Sequence, residues 1–302
     1  MECVPNFSTG DPNVVKAILS EIQKVKGVVL VDHIFDTYYN RLVATFLGEK
    51  EAVLKACLEA SFAAVRLIDM SKHKGQHPRL GAVDVVPFIP LRHTEMRDCV
   101  ELARRYAGTF ARTTGVPVYL YAEAATSLEK RDINWIRQGE YEALAEMIRK
   151  PGREPDYGDP VFNPKSGATI AGARNIMVGF NVNLDTPDLR AAKRIVKELR
   201  KSELSRYLNA MAAYVPERNL TQIGMSLYDY RRASLSRVFE YLEDLADAQG
   251  IQLVDSEIVG AIPVAALADV AKHYLRIKAL DQSKVLEQSI QRVIDPQTSE
   301  KD

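Results

Sequence analysis

ECVPNFSTGDPNVVKAILSEIQKVKGVVLV, residues 2–31, reads as strand, helix and strand. Residues 2–8 form a short strand that stops at Ser8-Thr9-Gly10. Asp11-Pro12 then opens a helix, with Asp11 as N-cap and Pro12 as first helical residue. Val14, Val15, Ile18, Ile22 and Val25 give that helix one apolar stripe, and Gly27 ends it. Val28–Val31 is a run of strong β-formers and Leu42–Leu47 is a second, with a polar and aromatic connection over Asp32–Arg41. Further along, Glu49–Met70 is an alanine-rich helix, Val83–Leu91 a strand, Thr94–Thr113 a helix and Val116–Ala122 a strand. This half has the order β-α-β-β-α-β-α-β.

The pattern restarts after Asp156–Gly167, a glycine- and proline-marked connection with little apolar periodicity. Asn175–Asn183 reads as a strand, Thr186–Lys201 as a helix capped by Thr186-Pro187, and Asn209–Val215 with Leu220–Tyr228 as a strand pair. Leu235–Gly250 is a helix, Ile251–Ile262 a strand region and Val264–Leu275 a helix, followed by a polar, helical tail after Leu280 that frays over Pro296–Asp302. Both halves carry the split βαβ order, without residue-level repetition. The expected class is α+β: two ferredoxin-like βαββαβ sandwich subdomains side by side, residues 1–174 and 175–302. Each has an antiparallel sheet with helices on one face, and a ligand cleft lies between them.

Composition narrows the function. Forty Lys+Arg balance forty Asp+Glu among 302 residues, for a net charge of zero, which argues against a protein that lives on nucleic-acid phosphates or anionic membrane. Three widely spaced cysteines, Cys3, Cys57 and Cys99, indicate neither a disulfide framework nor a thiolate metal site and fit a reducing compartment. The first residues have no basic region leading into an apolar run, and no stretch approaches the ~18 apolar residues of a membrane span. A cytoplasmic protein with no membrane and no nucleic-acid partner is expected.

The densest chemical segment is Ser71–Asp84, SKHKGQHPRLGAVD, placed between a helix and a strand, where function tends to sit. His73 and His77 are four apart, but Gly75 interrupts them, Pro78 disfavours helical geometry at His77, and Lys74 stands where a zincin has glutamate. A metal site is not expected. A single histidine working as acid and base fits better: His77, with Pro78 stiffening the backbone beside it and Arg79 orienting an anionic substrate group. Gly167–Arg174 has the glycine spacing of a P-loop, yet Ala173 and Arg174 replace its Lys-Ser/Thr and a strand follows, so ATP hydrolysis is not supported. Tyr119, Tyr121 and Glu123 share one face of a strand.

SKHKGQHPRLGAVDVVPFIPL (71–91), taken with CVPNFSTG, GVPVYLYAEAA, IRQGEYEAL and PDYG…GATIAGARN, resembles the glutamate formimidoyltransferases. The motifs run in unbroken order over residues 3–183, and weaker similarity continues to about residue 280. The resemblance implies transfer of a formimidoyl group from N-formimidoyl-L-glutamate to N5 of tetrahydrofolate, with tetrahydrofolate as co-substrate, no metal, and a homodimer. It places the catalytic histidine at His77 in HPR-x-G. The folate segment falls at Gly158, Asp159, Pro160, Val161, Phe162, Asn163, Pro164, Lys165, Ser166 and Gly167. Asn40, Arg41, Arg79, Tyr121 and Arg174 are expected to bind substrate, the arginines facing the two carboxylates of glutamate. Where the family resembles D-x-D-H-N-R, this chain has Asp36-Thr37-Tyr38-Tyr39-Asn40-Arg41. Two other readings stand beside this one. The first is formyl transfer between 5-formyltetrahydrofolate and glutamate on the same site. The second is a non-catalytic folate-binding module; an RNA platform lacks its glycine-aromatic signature.

Overall fold

The chain opens on two strand fragments, β1 (Glu2–Cys3) and β2 (Asn6–Phe7), separated at Pro5, which has no N–H to give a ladder. The first helix, α1 (Pro12–Gln23), starts where its cap predicts: the Asp11 carboxylate accepts from the backbone N–H of Asn13 and Val14, and Val15, Ile18, Leu19 and Ile22 are buried. In this computed structural model, residues 1–280, 284–288 and 290 are described. The frayed end expected at Pro296–Asp302 lies outside them.

The next two strands correct the sequence reading. β3 (Val28–Asp36) and β4 (Arg41–Gly48) pair from Val28↔Gly48 to Asp36↔Arg41, so the connection expected over Asp32–Arg41 is a turn of residues 37–40. Polar Asp32, His33 and Asp36 obscured the outer half of β3, which lies at the sheet edge with Ile34 and Phe35 exposed. A bulge between Leu30 and Asp32 also breaks its alternation. After α2 (Lys50–Leu67) come β5 (Val83–Ile89), α3 (Met96–Thr114), β6 (Val118–Ala122), the short helices α4 (Ile133–Ile136) and α5 (Glu140–Met147), and β7 (Thr169–Ala173).

The order across this sheet is β3-β4-(β1, β2)-β5-β7-β6. The first four positions are antiparallel, but β7 lies parallel to both β5 and β6. The sheet is therefore mixed, not antiparallel throughout. The sequence reads 167–175 as the entry to a later strand, because all five residues of TIAGA are buried and so show no period of two.

Helices α1, α2 and α3 cover one face of the sheet over a core that includes Phe7, Phe46, Phe88, Ile18, Tyr106 and Phe110. Tyr106 stacks on Phe110 and donates to Ser61 Oγ at 2.8 Å. The alternate residues Val85, Tyr119, Tyr121 and Ile170 point to the other face and pack with Leu80, Ile136, Leu144 and Ile148 beneath α4 and α5. At this end helices lie on both faces, which the two-layer expectation omitted.

Contacts divide the chain after Asn175. The second unit runs β8 (Val178–Leu184), α6 (Leu189–Leu199), β9 (Leu208–Val215), β10 (Leu220–Leu227), α7 (Leu235–Asp247), β11 (Leu253–Val259) and α8 (Val264–Leu275). Its antiparallel sheet has the order β11-β8-β10-β9. Asp188, not Thr186-Pro187, caps α6. With β1 and β2 counted as one strand, the first strand of each unit lies between the third and the fourth, and the α+β class expected from the element order is the one found.

Candidate active site

The loop from Ser71 to Gly81 joins α2 to β5 and is pinned along its length. The Met70 N–H donates to the Lys165 carbonyl at 2.8 Å. In its middle, Asn40 at the β3–β4 turn acts as a clamp: its Oδ1 accepts from the Gly10 N–H at 2.7 Å and its Nδ2 donates to the Lys74 carbonyl at 2.8 Å. Asn40 takes a left-handed φ of 51°, which asparagine tolerates better than most residues. Gly75 packs on the same turn, and a Cβ there would stand 2.5 Å from the Tyr39 carbonyl oxygen. Asn40 is expected to bind substrate; in this structure each polar end of its side chain makes one bond that holds this loop. At the far end, the Leu80 N–H donates to Asp84 Oδ1 at 2.9 Å.

This pinning places the half-buried His77 ring against a charged cluster. Its Nδ1 lies 2.6 Å from Arg41 Nη1 and 2.7 Å from the Pro78 carbonyl oxygen. Its Nε2 makes no hydrogen bond among the described residues. Arg41, the first residue of β4, donates through Nη1 to Asp84 Oδ2 at 3.0 Å and through Nη2 to Asn6 Oδ1 at 2.5 Å. The same Asp84 oxygen accepts from Arg137, just beyond α4. The Arg137 Nε is buried without a partner among the described residues.

Two guanidiniums and one carboxylate leave a net positive charge beside the ring. Burial pushes the His77 imidazole down and the Arg41 charge adds to it, against the pull of Asp84, to about 3. The ring is therefore neutral at neutral pH. Burial lowers Arg41 to about 10, which leaves it protonated. Burial would raise the Asp84 carboxyl, but the Arg137 and Arg41 charges outweigh it and hold the group below the usual carboxylate range.

Of the remaining expected site residues, Arg79 has a neighbourhood of its own, while Tyr121 and Arg174 stand together. Arg79 donates to Glu140 Oε2 at 3.0 Å and to both oxygens of Glu142 at 2.8 and 2.5 Å, and its Nε faces His73 Nδ1 at 3.4 Å. Arg79, expected to bind substrate, thus faces two carboxylates of the protein in this structure. His73 completes this set through Nε2, 3.1 Å from the Asn40 carbonyl oxygen. Tyr121 is buried on β6; burial pushes its hydroxyl up, opposed by the charges of Arg174 and Arg137. Arg174 donates to the Asn175 carbonyl at 2.9 Å.

The Gly158–Gly167 segment is divided. Tyr157, Gly158, Asp159 and Val161–Pro164 line a groove of about 780 Å³ with Gly108, Ala111, Arg112 and Gly115 of α3 and its C-terminal end. Pro160 is exposed beside it. Lys165, Ser166 and Gly167 turn back toward the histidine loop, where the Ser166 carbonyl accepts from the Ala82 N–H at 2.9 Å. Asn6, Asp84 and Arg137 were missed from sequence. One signal was available: Asp84 is a charge inside an otherwise apolar strand, and a buried carboxylate requires cationic or hydrogen-bonding partners. Among the described residues no group of three His, Cys, Asp or Glu side chains stands together as a metal site. No described helix is long and apolar enough to cross a membrane.

Comparison with known proteins bears on the whole chain. Residues 1–174 match the family model "Formiminotransferase domain, N-terminal subdomain" and residues 179–296 match "Formiminotransferase domain". The glutamate formimidoyltransferase of Thermoplasma acidophilum is 38% identical over 97% of this chain and 97% of its own. That of Streptococcus pyogenes serotype M1 is 35% identical over 94% and 96%. The formimidoyltransferase-cyclodeaminase of Sus scrofa is 42% identical over 91% of this chain, a match covering 52% of the pig protein. The chain belongs to the formiminotransferase domain family.

Proposed function

We propose that this protein is a glutamate formimidoyltransferase, moving the formimidoyl group of N-formimidoyl-L-glutamate to N5 of tetrahydrofolate and releasing L-glutamate. One observation carries the reading beyond family membership. The His77 imidazole is neutral, fixed through Nδ1, and makes no protein hydrogen bond through Nε2 among the described residues. The open Nε2 is the ring atom at which a proton could be exchanged with a substrate nitrogen.

N5 attacks the formimidoyl carbon and must lose a proton; the glutamate nitrogen leaves the resulting tetrahedral carbon and must gain one. His77 takes the first proton at Nε2 and returns it to the second nitrogen, a contribution of about 10²–10⁴ in rate. To accept at Nε2, the neutral ring must carry its proton on Nδ1, where the Pro78 carbonyl is the acceptor. Holding both substrates in register contributes further through effective molarity. The net positive charge of Arg41, Asp84 and Arg137 suits the carboxylates of the donor. The groove beneath Gly158–Pro164 is of a size to take part of a folate, with Tyr121 and Arg174 as further substrate contacts. The protein is proposed to act as a cytoplasmic homodimer in histidine breakdown.

The test is donor choice. With tetrahydrofolate as acceptor, N-formimidoyl-L-glutamate is expected to turn over at least ~10-fold faster than N-formyl-L-glutamate, since exchanging N–H for carbonyl oxygen at the reacting carbon leaves a site hydrogen bond unmade. Transfer from the formyl donor alone would replace this reading with formyl exchange. Tight folate binding without either transfer would leave a binding module.

A further inference from the structure

His77 Nδ1 has two neighbours that no single protonation state satisfies. The Arg41 Nη1, 2.6 Å away, requires an acceptor; the Pro78 carbonyl oxygen, 2.7 Å away, requires a donor. A guanidinium has only donors to offer. A protonated Nδ1 would set N–H against N–H at 2.6 Å, so Nδ1 is the acceptor here. The bond is charge-assisted, roughly twice as strong as a neutral N–H···O=C bond. The proton of the neutral ring therefore sits on Nε2. In that tautomer Nε2 has no lone pair with which to take a proton from an attacking amine.

We propose that Arg41 is a tautomer lock on His77: in the ligand-free protein it holds the ring proton on Nε2, and an anionic group of the amino-acid donor, by drawing the guanidinium off Nδ1, turns Nε2 into the proton-accepting atom. The inference rests on the reading of His77 as the proton carrier. On release, the Nε2 proton passes to water and water supplies one to Nδ1, which donates it to the Pro78 carbonyl; the ring's charge does not change. The cluster is built to permit this. Asp84 Oδ2 is shared between Arg41 and Arg137, so the carboxylate keeps a counter-ion when Arg41 shifts. Asn6 Oδ1 holds the other arm of Arg41. The charges acting on the ring are Arg41 from β4, Asp84 from β5 and Arg137 from the end of α4. Arg41 is the one in hydrogen-bond contact.

Nitrogen-15 NMR of histidine-labelled protein tests the lock, with the His77 signals assigned by their loss in His77→Gln. The free protein at pH 7 is expected to show a neutral ring protonated on Nε2. Saturating L-glutamate with 5-formyltetrahydrofolate is expected to move the proton to Nδ1. Arg41→Gln is expected to show the Nδ1–H tautomer without ligand, with the ring's titration midpoint rising from about 3 toward its ordinary ~6.5. A free protein already protonated on Nδ1 overturns the lock. So does an Nε2–H ring that persists in a complex whose backbone amide signals have shifted. If the two ligands leave every amide signal unmoved, the transfer reading itself fails. The tautomer of the free wild-type protein then still decides whether Arg41 holds the ring, even if Arg41→Gln does not fold.

Discussion

His77→Ala is expected to slow formimidoyl transfer by about 10²–10⁴-fold while reduced-folate affinity stays close to that of the unaltered protein. The size follows from what is lost: one group that removes a proton from N5 and delivers one to glutamate. Folding is expected to survive. The ring is half-buried in a loop, and the loop is fixed by Asn40, Met70 and Leu80 rather than by the imidazole. Its nearest partner, Arg41, keeps both Asp84 and Asn6. Single-turnover transfer measured beside folate binding separates the outcomes. Unchanged transfer would assign the proton to another group, and a parallel collapse of folate affinity would make His77 a binding residue.

Asp84→Ala is expected to carry the largest stability cost of any single substitution at the site. The Asp84 side chain is 1% exposed and is the only carboxylate among the described residues bonded to Arg41 and Arg137, themselves 16% and 12% exposed. Removing it leaves two largely buried guanidiniums without their shared carboxylate and the Leu80 N–H without its acceptor. Breaking a buried ion pair by deleting one partner costs roughly 3–5 kcal/mol, to be read as a shift in the urea midpoint at constant slope. Removing Glu51 from its exposed pair with Arg105 should change little. Equal effects from the two substitutions would mean that burial at Asp84 is not what makes its pairing matter.

What the sequence disclosed and what it hid divide along physical lines. Helix α1 was legible because cap, first-turn proline and apolar stripe agree over Asp11–Ile22, and β8 to β11 overlap the strands expected over 175–183, 209–215, 220–228 and 251–262. Strand β7 was hidden because a parallel strand buried on both faces has no alternation to read. The outer half of β3 was hidden because a sheet edge tolerates polar residues. The histidine loop stood out by composition, yet its chemistry depends on Asn6, Asp84 and Arg137, which come from three elements far apart in the chain. Arg79 shows the converse: two residues from His77 in sequence, it turns to Glu140 and Glu142. Chain neighbours in a loop point in different directions, so sequence proximity was a poor guide to shared function. Asn40 matched the expected motif, but its part in clamping Gly10 to Lys74 needed the fold to be seen.

The most direct measurement is a structure of this protein with a reduced folate bound. The pterin N5 is expected within hydrogen-bond reach of His77 Nε2, about 2.6–3.2 Å or through one water, on the side of the ring away from Arg41. A pterin seated elsewhere, with N5 beyond such reach and another titratable side chain beside it, would contradict the assignment of His77 as the proton carrier.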